Sequence, residues 1–101
     1  MALIPTKKYL EALDDVLSKR YDKSEYSFYG YKECAVCILY RDGKWFVFNG
    51  EKGNHYNEDI YDTILEACIG VIRKMTNIID DIASIENEFI DGILHREDNE
   101  R

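Results

Sequence analysis

Basic residues are in short supply in this chain: 13 Lys and Arg face 20 Asp and Glu over 101 residues, a formal net charge of −7. Nucleic-acid binding draws on a surplus of cations over phosphate, so no nucleic-acid partner is expected and a positively charged partner is favoured. No apolar run approaches the roughly 18–20 residues that cross a bilayer. The opening "MALIPTKKYLEAL" lacks the charged head and long apolar core of a secretory signal. The reading is therefore cytoplasmic, with no membrane partner. Cysteine is sparse and odd in number, and three residues suit a reducing compartment better than a disulfide framework.

Catalytic patterns are missing as well. The sequence holds no P-loop, nucleophile elbow or HExxH. Cys34 and Cys37 form a lone CxxC inside a predicted strand, where residues three apart point to opposite faces and do not share a metal. Both, with Cys68 on a helix stripe, read as small buried hydrophobes. His55 has Glu51, Lys52 and Tyr56 nearby, but the only other histidine, His95, falls in the predicted tail, so no second group is set against it. The glycines of "GEKG" read as turn residues, since no helix begins directly after them. The expectation is a non-enzymatic protein with no metal or cofactor.

What the chain does have is the composition of one globular domain, 46% hydrophobic and 33% charged, covering residues 1–101 with fraying from about residue 95. Charge divides unevenly: residues 1–56 sum to +1 and residues 57–101 to −8. Thr6 is placed to cap a helix whose Tyr9, Leu10, Leu13, Val16 and Leu17 recur at helical spacing. Residues 25–31, rich in aromatics, read as a strand that bends at Gly30.

The strongest local signal is "ECAVCILYRDGKWFVFNG", two β-rich runs around Asp42-Gly43, a pair suited to the positive φ angles of a type I′ turn. That turn sets Tyr40 against Trp45, Leu39 against Phe46, Ile38 against Val47 and Cys37 against Phe48. One face then carries Val36, Ile38, Tyr40, Trp45 and Val47; the other carries Ala35, Cys37, Leu39, Phe46 and Phe48. Both are apolar. The smoother Leu39, Phe46 and Phe48 face is read as packing on the helices, leaving the Tyr40 and Trp45 face either covered by another element or offered to a partner.

Within residues 40–62, the stretch between the hairpin and the run of acids reads as a polar loop. Asp59 or Asp62 then caps a helix through Tyr61, Ile64, Leu65, Cys68, Val71, Ile72 and Met75, and the pattern continues through Ile78, Ile79, Ile82, Ile85, Phe89 and Ile93. A single helix of more than 30 residues is unusual in so small a domain, so a break is expected near Thr76-Asn77, with an unbroken helix as the alternative. The resulting class is α+β, a three-stranded antiparallel meander packed with helices in the order α-β-β-β-α-α.

Two features stand out beyond the core. Eight tyrosines are many for a domain of this size, and each buried hydroxyl demands a partner. Glu58, Asp59, Asp62 and Glu66 crowd nine residues, more than the helix dipole calls for. Tyr40, Trp45 and Tyr56 are thus read as interface anchors, ringed by Glu51, His55, Glu58, Asp59 and Asp62, in a surface suited to a cationic protein.

The run "YGYKECAVCILYRDGKWFVFNGEKGNHYNEDIYDTILEACIGVIRKM", residues 29–75, resembles small acidic immunity proteins encoded beside bacterial polymorphic toxins, in its KW step within a hairpin, its "GE.G" loop and its acidic "Y…A" helix. The resemblance implies a cytosolic protein that binds the C-terminal domain of a cognate toxin, in many cases a basic nuclease. Such a protein neutralises the toxin by covering its active site or an exosite, without chemistry of its own. The alternative is a homo-oligomeric adaptor whose isoleucine-rich helix, residues 78–93, pairs with its copy to form a homodimer.

Overall fold

A computed structural model describes residues 6–76 and 79–99. Three helices and four strands follow in the order α1 (Thr6–Ser18), β1 (Tyr26–Ser27), β2 (Val36–Arg41), β3 (Lys44–Glu51), β4 (Asn54–Tyr61), α2 (Ile64–Met75) and α3 (Ile79–Asn99), with a short 3-10 turn at Lys23–Glu25. The class is α+β. The sheet, however, is four-stranded and mixed, in spatial order β1-β2-β3-β4.

Asp42-Gly43 makes the hairpin as expected. Their φ angles are 54° and 78°, the two positive values of a type I′ turn, and the register runs from Cys37 opposite Phe48 to Tyr40 opposite Trp45. The same geometry recurs at Lys52-Gly53, with φ of 52° and 78°, and turns the chain into β4. Residues 54–61, read from sequence as loop and helix start, are therefore a strand. Asn57 hides it: with φ of 52° it is an extra residue between the Val47–Asp59 and Asn49–Tyr56 pairs, a bulge that breaks the alternation a strand normally shows.

The expected strand over 25–31 shrinks to Tyr26–Ser27 and pairs with β2 in parallel, not antiparallel. Parallel neighbours normally need a long crossover. A two-residue strand returns only about 7 Å, which residues 28–35 span, helped by Gly30 at φ 114°.

The helices pack on the opposite face of the hairpin from the one predicted. Ile38, Trp45 and Val47 join Leu13, Leu17, Ala67, Cys68, Val71, Ile72, Ile85 and Phe89 in the main core, whereas Ala35, Cys37 and Phe48 form a separate small cluster with Leu39 and Phe46. Burial of each large core side chain contributes roughly 1.5–3 kcal/mol. The deciding element is the loop. Residues 31–35 cross the Cys37 and Phe48 side of the sheet, with the Cys34 N–H donating to Gly50 O at 2.9 Å and the Gly50 N–H donating to Ala35 O at 2.9 Å. Gly50 permits the crossing, because a Cβ there would strike the Lys32 carbonyl.

Thr63, not Asp59 or Asp62, caps α2, its hydroxyl accepting the Glu66 N–H at 3.1 Å. The helix ends at Met75, where Thr76 turns extended (φ −112°, ψ 126°), so the expected break is present; Asn77 lies outside the described residues. Tyr21 fixes this corner by donating its hydroxyl to Met75 O at 3.0 Å. α3 continues to Asn99, past His95 where fraying is expected from sequence. α2 lies against the sheet, and α1 and α3 pack on each other beyond it. No helix among the described residues is long and apolar enough to cross a membrane.

Candidate protein-binding surface

With the helices on one side, the other face of the sheet is covered only at one end. There the 31–35 loop, β3 and the β3–β4 turn interlock. The Gly53 N–H donates to Tyr31 Oη at 2.7 Å, the Lys52 N–H donates to Glu33 Oε2 at 2.8 Å, and the Tyr31 hydroxyl donates to Glu33 Oε1. The Tyr31 hydrogen bond and then the Lys52 amide hold the Glu33 carboxyl below its ordinary 4.5. A carboxylate harder to protonate in the folded chain contributes stability above the unfolded value, and loses it as pH falls through the lower folded value. Urea titrations are therefore expected to show the midpoint falling between about pH 5 and pH 3 more steeply in the native chain than in Glu33→Gln. Parallel curves would contradict the assignment.

Next to this clasp, His55 stacks on Phe48, with ring centroids 3.7 Å apart and planes 9° from parallel, and faces Tyr31 at 6.1 Å. His55 Nδ1 lies 2.9 Å from Glu58 Oε2. Residues three apart on a regular strand point to opposite faces; the Asn57 bulge is what brings these two together.

Beyond the stack the face is open. Leu39, Phe46 and Ile60 are directly registered across β2, β3 and β4, and Ile60 is 58% exposed. No helix among the described residues covers this apolar row, in which Leu39 and Phe46 are half-buried. Arg41 lies 5.2 Å from the Phe46 ring centroid at one end, and Glu33 and Glu58 stand at the other, beside His55. Neither of these two carboxylates is paired with Lys or Arg among the described residues.

The predicted site residues do not form one patch. Trp45 is 8% exposed and belongs to the core, so it is not a surface anchor. Tyr40 is 53% exposed, its ring 4.7 Å from Trp45. Tyr56 is exposed, but its register opposite Asn49 puts it on the helix side, away from His55. Asp59 points to the helix side as well and meets Lys74 Nζ of α2 at 2.7 Å. Asp62 pairs with Lys44 at the hairpin end. Glu51 is exposed at the β3–β4 turn. The acidic cluster of the sequence is thus dispersed by strand alternation and partly neutralised.

Most of the negative charge sits elsewhere: α3 carries seven acidic residues and one basic residue. Two of those acids are paired, Glu86 with Arg73 at 2.9 Å and Glu88 with Arg20 at 3.1 Å. Of the α3 stripe, Ile85, Phe89 and Ile93 are buried within the chain, Ile82 is half-buried and Ile78 lies outside the described residues.

Leu39, Phe46 and Ile60 are the residues that sequence reasoning missed. Their signal was present in the hairpin register, which puts Leu39 opposite Phe46, but Ile60 required β4. No family model matches the chain, and no curated protein or solved structure matches it.

Proposed function

We propose that this chain is a binding protein without chemistry of its own, an immunity-type inhibitor that docks a basic protein domain on the uncovered face of its sheet. The observation that carries this reading is the registered row Leu39–Phe46–Ile60, half-buried at Leu39 and Phe46, exposed at Ile60 and covered by no helix among the described residues. Its surroundings suit a cationic partner: Glu33 and Glu58 rim one end, and the chain as a whole carries −7. Apolar residues at the centre of such a patch supply affinity, and rim charge speeds encounter. The partner surface thus differs from the Tyr40 and Trp45 face expected from sequence. His55 and Glu58 support this role better than catalysis, since no serine, threonine or cysteine is hydrogen-bonded to His55 among the described residues.

The partner to test is the C-terminal domain of the protein encoded in the adjacent reading frame, titrated by calorimetry. Ile60→Asp is expected to weaken binding by about 2 kcal/mol, or roughly 30-fold. Asp59→Ala, on the helix side, is expected to leave affinity within about threefold. Equal effects from the two variants, or no binding by the native chain, would sink the reading.

A further inference from the structure

The two margins of the sheet differ in what they face. β1 has β2 on one side and, among the described residues, no strand on the other. Its open edge lines a cleft of about 600 Å³. One wall is four consecutive residues, Tyr26 to Tyr29, and the opposite wall is Lys7, Leu10, Glu11 and Asp14. Those four fall at i, i+3, i+4 and i+7, a single face of α1.

We propose that this cleft is a peptide-binding groove, in which an acidic segment in extended conformation adds as a strand to the free edge of β1, held between that edge and α1. Strand addition draws its affinity from main-chain hydrogen bonds and its selectivity from pockets for alternate side chains. β1 itself offers two extended residues, roughly 7 Å of edge, and Phe28 and Tyr29 carry the wall on as a bend.

The polar groups give the sign of the ligand. Lys7, Lys23 and Lys32 all line the cleft, three of the eight lysines in a chain of net charge −7. Against them stand Glu11 and Asp14. The Asp14 carboxylate is already engaged, accepting the Tyr26 hydroxyl at 2.7 Å and lying 3.6 Å from Lys23 Nζ. Lys32 spends one ammonium hydrogen on Lys23 O at 2.9 Å, and Lys7 has no ion pair among the described residues. Positive charge is therefore left over, opposite in sign to the carboxylate end of the outer face. Apolar side chains alternating with the acids would rest on Leu10 and Phe28. Tyr29, 90% exposed, stands beside them as a further ring to close over the ligand.

This groove is at the margin opposite β4 and does not depend on the inhibitor reading. The probe is a blocked hexapeptide alternating glutamate and valine, followed by amide chemical-shift changes on the full chain. Saturable shifts are expected at residues 26–29 and 7–14. Affinity should fall about tenfold in Lys7→Glu/Lys32→Glu, two surface changes that leave the core untouched, and by a similar factor when alternate peptide amides are N-methylated. No saturable shift up to about 1 mM peptide, a weak limit for specific binding, would overturn the proposal. So would equal affinity for a lysine and valine peptide, undiminished binding of the N-methylated peptide, or displacement by equimolar inorganic phosphate.

Discussion

Trp45→Ala is expected to destabilise the chain by about 3–5 kcal/mol, the range for truncating a large buried aromatic. An exposed anchor would give a different result, weaker partner binding with stability nearly unchanged. Trp45 is registered between Tyr40 on β2 and Tyr61 on β4, with its ring in the core that α2 closes. Its removal opens a cavity within the main core, not at a rim. For a domain of this size each kcal/mol is worth about 4–8 °C at the midpoint, so thermal denaturation should show a fall of roughly 15 °C or more. A change of only a few degrees would place the indole outside the core.

Gly50→Val is the second large effect. A Cβ at this position meets the Lys32 carbonyl at once and lies 3.1 Å from the Tyr31 ring. A side chain there displaces residues 31–35 and breaks the two Gly50–loop hydrogen bonds. Overpacking against backbone costs typically 1–3 kcal/mol and at times more, and the lost hydrogen bonds place this variant near the upper end, at about 3 kcal/mol. A local readout accompanies the global one. Cys37 lies buried beneath the loop, with its Sγ accepting the Lys32 N–H at 3.3 Å and its thiol pushed up by burial. Thiol labelling should therefore accelerate at Cys37 in Gly50→Val, with the Cys34 rate as an exposed reference. Unaltered Cys37 labelling would show that the loop is not held by Gly50.

These two positions also show what was legible in the residues and what was not. The Asp42-Gly43 hairpin was legible because turn chemistry fixes both geometry and register locally. The face that packs on the helices was not, since Val36, Ile38 and Val47 differ little in hydropathy from Ala35, Leu39 and Phe48. The choice is made by a loop crossing at Gly50, a contact between distant parts of the chain. β4 escaped notice because Asn57 interrupts its period and every residue from Asn54 to Ile60 is exposed. The run Glu58, Asp59, Asp62 looked like one cluster because sequence proximity ignores the pleat: neighbours on a strand face opposite ways. The helices were read well, since their stripes at Leu13, Leu17, Val71, Ile85 and Phe89 are sustained over several turns.

The bulge at Asn57 has one more effect. β4 is eight residues long and forms the outer margin of the sheet, the kind of border that invites chains to stack one on another into fibrils. The kink divides that border into two stretches of three to four residues, so it presents no long flat edge for stacking into a fibril. The irregularity that brings His55 to Glu58 thereby also protects the chain against self-templated growth.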